Sequence, residues 1–549
     1  MLVVRFGNSL TRLTWCLLAL VVCSSIITGI LAIGLFAFVF QVVEGSNSTA
    51  LPWPISFALL AAMLLSSRTI SALATGQLSN RLEAELRLFL ATEIISAPLR
   101  LIESVGNARL LTALTTDAST ISKAVPQLVQ LCISAATILA LMCYMIWLSP
   151  LGALFVLIPA LLGASLHWAL TRRIGRLSYA AGHAWDLFYR SFEGLIAGFI
   201  QLKLNRGRRK QFMTNEFSNA QTNFLRRRSG VILARTMTAN FAQMLFLATL
   251  GLLLFFFLQN GQLTGSAGAQ FVFAMIYLMG PLEGLLNSVA ALGETRIARR
   301  RLHEIGLMLS THEAERKAES DNNETFAWER LTLRGLTYAY SGEGGFVFGP
   351  LDATMDRGEI IFVTGGNGSG KSTFAKLVAG LYIPLQGEIS LDDKTIDDDS
   401  RESYRQQFST VLDGAYLFER ISSGRPANTL AEELLETWRL SSVVQFRDGR
   451  FMNTTALSRG QKKRLTLVSA LMEDRQIYVF DEWAADQDAW SRNHFYRTLL
   501  PQLRRSRKLV IVLTHDEGYD DVADRIMYFQ GGTLAPSAPE VVPSAPRFA

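Results

Sequence analysis

An α-helical membrane domain of six spans followed by an α/β P-loop domain is the fold predicted for this chain, and three observations predict it. Its 549 residues are 49% hydrophobic and only 18% charged, which is too apolar for an ordinary soluble enzyme of this length. Between Trp15 and Val289 the apolar residues gather into runs of about 20, the length a helix needs to cross the hydrocarbon of a bilayer. Beyond them lies a glycine-rich segment, Gly365 to Ser372, set between a strand-like and a helix-like stretch.

The spans fit Trp15 to Val43, Pro54 to Ala74, Val129 to Trp147, Leu151 to Leu170, Met237 to Leu258 and Ala269 to Val289. The first exceeds a signal-peptide core and reads as a retained span. Charge gives the orientation. The connection after the second span carries Arg81, Arg87 and Arg100, and the one after the fourth carries Arg172, Arg173, Arg176, Lys203, Arg206 and Arg226 to Arg228. The opposite connections, Glu44 to Trp53, Leu148 to Pro150 and Gln259 to Gly268, hold no Lys or Arg, so both termini and the two long connections are expected in the cytoplasm. Apolar residues recur at helical spacing over Arg81 to Leu111 and Leu177 to Arg228, so the membrane helices extend into the cytoplasm and present short turns to another domain. The expected domains are residues 1–300 for the membrane part, a charged linker over 301–325, the P-loop domain over 326–532 and a flexible Pro-containing tail over 533–549.

The 53 Lys and Arg against 47 Asp and Glu leave a net charge of +6, and topology explains these basic residues better than nucleic-acid binding does. Cys16, Cys23, Cys132 and Cys143 lie in apolar stretches without paired spacing, which argues against a disulfide framework or a zinc site.

The strongest chemical signal is Gly365-Gly366-Asn367-Gly368-Ser369-Gly370-Lys371-Ser372, preceded by strand-like Glu359 to Thr364 and followed by helical Thr373 to Leu381. Glycines let backbone amides curl around phosphate oxygens, Lys371 supplies positive charge, and Ser372 offers its hydroxyl to magnesium. A later apolar strand, Ile477 to Phe480, ends in Asp481, suited to the magnesium shell, and Glu482, suited to orienting or deprotonating the attacking water. Another, Lys508 to Leu513, delivers Thr514 and His515, where His515 can hydrogen-bond the γ-phosphate.

Between these elements lies Leu457-Ser458-Arg459-Gly460-Gln461, and with it the sequence resembles the ATP-binding cassette superfamily. The resemblance implies ATP and Mg2+ as cofactors, and Ser458 and Gly460 on the γ-phosphate held by the opposite subunit. It also implies Tyr340 on adenine, with Tyr338 as local competitor, together with Thr373 in the nucleotide loop and Asp488 coupling two sites. Six spans followed by one cassette look like an exporter half-transporter, so a second copy of the chain is the implied partner. Asp413, in the segment Phe408 to Phe418, stands where the family usually carries the glutamine of the loop that faces the membrane domain; an aspartate oxygen can approach magnesium, but its charge and shorter reach put the usual coupling role in doubt, unless the alignment shifts there by one or two residues.

The stretches Leu457 to Arg464 and Asp481 to Asp488, with Trp483-Ala484-Ala485 after the glutamate, resemble one branch, the cyclic peptide and siderophore exporters of the pyoverdine, syringomycin and microcin type. Lys203-Leu204-Asn205-Arg206 is similar to that branch as well. The implied cargo is a cyclic peptide, lipopeptide or siderophore precursor crossing the bacterial inner membrane. A lipid or multidrug exporter, or an ATP-gated regulatory membrane protein, is the alternative. From the residues alone, Glu283 in the sixth span is costly in lipid and must face a cavity or a partner helix, which leaves a cationic cargo group and helix packing both open. Pro281 and Gly284 beside it bend or thin that helix.

Overall fold

A computed structural model describes residues 12–43, 52–260, 266–310, 328–340, 345–421 and 427–535. They fall into two compact units. One comprises the chain to Ala91 together with Ala108–Gly306, and the other comprises Thr92–Asn107 with the chain from Leu307 onward.

The first unit is helical. Its long elements are α1 (Arg12–Val43) and α2 (Trp53–Ile95), followed after a short helix α3 (Leu99–Val105) by α4 (Ala124–Leu148), α5 (Pro150–Ala197), α6 (Ser218–Asn260) and α7 (Ser266–Ser310). Among the described residues four helical stretches, Trp53–Ile95, Arg109–Leu148, Arg206–Leu252 and Gln270–Glu304, are long and apolar enough to cross a membrane. Shorter apolar segments, Cys16–Ala32 and Pro150–Gly163, belong to α1 and α5, so a count of six requires both of these helices to cross as well.

The turn into α5 is written in two residues. Ser149 caps the helix by accepting a hydrogen bond from the Gly152 N–H at 3.2 Å, and Pro150 occupies the first turn, where its missing N–H costs nothing. Gly152 then lets α5 approach α7, because a Cβ there would lie 2.8 Å from the Phe271 ring. Leu141, Met145, Val156, Phe246, Phe271 and Met275 form the apolar core between α4, α5, α6 and α7. Outward on α5, Leu151, Leu154, Phe155, Ile158, Leu161 and Leu162 are exposed, as a lipid-facing surface requires. Farther along, Phe188 stacks on Phe224 and tilts against Phe192, and Phe192 meets Phe217 edge to face, an aromatic cluster that joins the extensions of α5 and α6.

The second unit holds two main sheets and a small antiparallel pair, β7 (Gln445–Arg447) with β8 (Arg450–Met452). An antiparallel sheet has the order β2 (Val347–Asp356), β1 (Arg330–Ala339), β4 (Gln386–Leu391), β5 (Lys394–Thr395). The larger sheet runs β12 (Thr533–Leu534), β11 (Arg525–Gln530), β3 (Ile360–Gly365), β10 (Leu509–Leu513), β9 (Ile477–Asp481), β6 (Phe408–Val411), parallel except for β12. Its central strands are buried on both faces. Ile361, Val363, Val479 and Ile511 enter one apolar core, while Ile360, Phe362, Tyr478 and Val510 enter another, which is why the sequence shows continuous apolar runs rather than alternation. Helix α3 belongs to this unit, and its Leu99 packs on the first of these cores.

Several boundaries differ from the sequence expectation. Helix α7 continues to Ser310, past residue 301 where the linker is expected to begin. Ala298 and Leu302, one turn apart, are buried and carry the helix on while Arg299 and Arg300 between them are exposed. Thr533–Leu534, at the start of the expected tail, pairs with β11. The helix after the glycine-rich loop spans Lys371–Val378, because Gly380 takes a positive φ and ends it earlier than Leu381. Linker residues 311–325, tail residues 536–549 and most of the short loops at 44–51 and 261–265 lie outside the described residues.

Candidate functional site

Three segments far apart in sequence meet because β3, β10 and β9 are parallel neighbours. Leu513 pairs with Val363 on one side and Asp481 on the other, so the chain leaves all three strands at the same end of the sheet. That end is where ligands bind in open α/β sheets. It gathers the glycine-rich loop from β3, Asp481 and Glu482 from β9, and His515 from β10.

The loop is shaped by glycines with different duties. Gly365 has φ +143° and lies against the backbone carbonyl of Phe529 so closely that a Cβ would collide with it. Gly370, with φ +103°, precedes helix α8 (Lys371–Val378), and a Cβ there would lie 2.9 Å from the Phe348 ring. Gly366 has open space around it. A Gly365→Ala chain is therefore expected to lose about 2 kcal/mol or more of stability together with nucleotide binding. Gly366→Ala should stay within about 0.5 kcal/mol. Thermal unfolding with and without nucleotide checks both.

Gly366, Asn367 and Gly368 are exposed at the rim, while Ser369, Lys371 and Thr373 are buried. Lys371 Nζ donates to the carbonyls of Gly365 at 2.9 Å and Gly366 at 3.1 Å, folded back into its own loop. Burial lowers the ammonium's pKa, and the carboxylates of Glu482 and Asp481 oppose that shift. The buried Ser369 Oγ has no hydrogen-bond partner among the described residues. An anion in the loop would satisfy it and draw Lys371 outward.

Asp481 is buried, and burial raises its carboxyl pKa; the hydrogen bond from Ser372 and the charge of Lys371 pull it down, whereas Glu482 and Asp413 push it up. A buried carboxylate beside an exposed hydroxyl suits a hard cation held jointly with phosphate oxygens. Among the described residues no group of three His, Cys, Asp or Glu is disposed to hold a metal.

Glu482 takes φ +48°, an uncommon conformation for a side-chain-bearing residue, and its N–H donates to the Leu513 carbonyl at 3.0 Å. The carboxylate stands 3.3 Å from His515 Nε2, with both side chains partly open to solvent. His515 is aimed by its neighbour. The Thr514 N–H donates to the Val363 carbonyl, and the Thr514 hydroxyl is locked to Tyr496 at 2.7 Å, whose own hydroxyl also donates to Asp516.

Ser458 caps helix α9 (Arg459–Glu473) in a reciprocal box. Its Oγ accepts from the Gln461 N–H at 3.3 Å, and its own N–H donates to Gln461 Oε1 at 2.9 Å. Gly460 follows, with the Asp486 carbonyl 3.2 Å from where a Cβ would sit. Asp488 also caps a helix, accepting from the Ser491 N–H at 2.8 Å, and this bond lowers its pKa. Tyr340 keeps its ring accessible and its hydroxyl 3.1 Å from Thr373 Oγ1, whereas Tyr338 is buried and stacked on Tyr382. Asp413 follows β6 on an exposed turn and lies 3.8 Å from Lys463 Nζ.

Two groups here are not singled out by sequence reasoning. Lys463 bridges Asp486 at 2.8 Å and the Glu482 carbonyl at 3.2 Å, linking α9 to the backbone that carries the carboxylate. Arg459, one turn earlier on the same side, also reaches Asp486, so the basic run after Ser458 held the signal in its i, i+4 spacing. The other group is on α3. Glu103 accepts from the Tyr382 hydroxyl at 2.6 Å and from Lys376 at 2.9 Å, and Arg100 lies over the Tyr338 ring. The sequence predicts a short turn presented to another domain there; its polar partners lie more than 270 residues away and leave no local signal.

Residues 348–485 match the family described as ABC transporter. Along 96% of its own length and of the relative's, the chain is 30% identical to the ATP-binding protein SyrD of Pseudomonas syringae pv. syringae. It is 25% identical to an ATP-dependent lipid A-core flippase of Nitrosococcus oceani, over 83% of this chain and 78% of that one. The lactococcin-A transport/processing ATP-binding protein LcnC of Lactococcus lactis subsp. lactis is 24% identical over 48% of this chain and 38% of its own. In fold, the chain is similar to a bacterial Atm1-family ABC exporter solved with ATP bound, at a TM-score of 0.76, 14% identity and coverage of 94% and 95%.

Proposed function

Because the chain belongs to the ABC transporter family, as an ATP-hydrolysing exporter with a multi-pass helical domain, we propose that it exports a cyclic peptide, lipopeptide or siderophore precursor across the bacterial inner membrane. The observation that carries ATP-driven work is the pairing of Glu482 with His515 beside the loop of Lys371 at one end of the sheet. Peptide cargo is supported by the resemblance of Leu457 to Arg464 and Asp481 to Asp488 to the cyclic peptide and siderophore exporters, and by likeness over 48% of the chain to a protein named for lactococcin-A transport.

In this reading two copies of the chain close around two ATP molecules, both termini lie in the cytoplasm, and α1 and α5 complete six spans per copy. Tyr340 stacks on adenine. Amides of Gly366 to Gly370 and the Lys371 ammonium hold the phosphates. Asp481 and Ser372 would hold Mg2+, which when bound would supply positive charge to the phosphate oxygens, with Asp413 as a further oxygen donor for it. Glu482 takes a proton from the attacking water, and His515 donates a hydrogen bond to the γ-phosphate as charge develops there. Ser458 and Gly460 of one copy close the phosphate bound by the other, and Asp488 couples the two sites. Lys463, tied to the Glu482 backbone, carries closure of α9 to the catalytic carboxylate.

Similarity to lipid A-core flippases over most of the chain supports a second reading, lipid transport. ATP-driven uptake into inside-out vesicles, with a defined acylated peptide and a labelled lipid in competition, separates the two. Peptide accumulation that excess lipid leaves unchanged supports peptide export. Movement of lipid alone overturns it.

A further inference from the structure

The helical unit contains a cavity of about 520 Å³ between α5, α6 and α7. That size falls within the roughly 300–1,000 Å³ of small-molecule sites. It suits one side chain and the adjoining amides of a larger peptide. Its wall is mainly apolar, with Phe246 among the lining groups, and five polar residues of special interest open into it: Glu283, Asn287, Gln243, Arg235 and Glu294.

The charges in this wall do not balance. Arg235 and Glu294 form an ion pair with each other and cancel. Glu283 has no basic partner among the described residues, so one carboxylate is left uncompensated inside the apolar stretch Gln270–Glu304. A lone carboxylate at such a place is expensive unless a cation meets it. Its position is also fixed. Gly284 brings α7 against α4 so closely that a Cβ would lie 2.7 Å from Ser134 Oγ and 2.8 Å from Gln130 Nε2, and those two side chains are hydrogen-bonded to each other. Asn287, one helical turn from Glu283 on the same wall, and Gln243 from α6 offer neutral donors and acceptors of the kind peptide amides require.

We propose that this cavity is a cargo site in which Glu283 binds an ammonium or guanidinium group of the transported peptide, while Asn287 and Gln243 bind its neighbouring amides. The proposal deepens the export reading above and rests on it. It restricts the cargo to peptides that bring a positive charge into the membrane domain, and it assigns no cargo contact to Arg235 and Glu294, which are paired with each other.

The test uses the full-length protein in inside-out vesicles with two probes, an acylated cyclic peptide containing one lysine and the same peptide acetylated on that lysine. A labelled lipid serves as a third. A hydrogen bond to a charged group is worth enough to give about 10-fold or greater preference for the lysine peptide in the wild type. Glu283→Gln should bring the ratio close to one, and Glu283→Asp should retain a preference. Because each variant is read as a ratio between two peptides, a general loss of transport does not imitate the result. If neither variant folds, the wild-type ratio still decides. Equal uptake of both peptides by the wild type, or an unchanged ratio in Glu283→Gln, overturns the site while leaving peptide export standing. Movement of lipid with neither peptide overturns the export reading itself.

Discussion

A Glu482→Gln chain binds ATP as the wild type does and hydrolyses it about 100-fold more slowly or worse, the loss expected when a positioned general base is removed. Glutamine keeps the length and shape of the side chain and its hydrogen-bonding reach to His515, 3.3 Å away in the parent, but it cannot accept the proton of the attacking water. The backbone should survive the change, because the left-handed turn at this position is held by the N–H of residue 482 on the Leu513 carbonyl and by Lys463 on its own carbonyl, neither of which uses the carboxylate. Nucleotide binding measured beside single-turnover hydrolysis checks this. Equal loss of binding and hydrolysis would instead mark Glu482 as a ligand for the nucleotide.

The second large effect concerns sharing of the site between copies. A Lys371→Ala chain should be inactive, since it loses charge-assisted hydrogen bonds to phosphate worth about 1.5–3 kcal/mol each. A Ser458→Arg chain should be inactive for a different reason, a bulky cation where the other copy's phosphate is to be closed. It also loses a helix cap worth about 1 kcal/mol, so retained ATP binding is the control for folding. Mixing the two inactive chains tests the dimer. A mixed pair holds one site in which both faults fall together and one in which neither does. Random pairing should therefore restore about a quarter of wild-type hydrolysis if the dimer is closed and two-fold. No recovery on mixing would mean that each chain carries its whole site.

Much of this was legible in the sequence for identifiable physical reasons. The glycine-rich loop is a local structure, and its strand and helix follow from a continuous apolar run and from a lysine-bearing turn that starts a helix. The strand ends at Asp481 and Thr514 were legible because both strands are buried on both faces and so contain little but apolar residues. The pattern of the strand alone does not separate Tyr338 from Tyr340, because two residues apart they share one face of the extended chain; Tyr340 stands just past the end of β1 with its ring accessible, whereas Tyr338 is buried against Tyr382. The bridge from Lys463 to Glu482 and the seat of Glu103 on Tyr382 were hidden for a related reason, since each depends on tertiary neighbours rather than on local pattern. In the membrane part, Glu283 stood out by its cost in lipid, but the cavity that it lines needs three helices to be in place before it exists.

The most direct measurement is ATP-dependent uptake of a defined acylated peptide into inside-out vesicles, run beside hydrolysis in the same vesicles for the wild type and Glu482→Gln. Peptide should accumulate only with hydrolysis, its accumulation should rise with peptide-stimulated ATPase activity, and it should vanish in Glu482→Gln. Hydrolysis by the wild type with no movement of peptide would contradict peptide export.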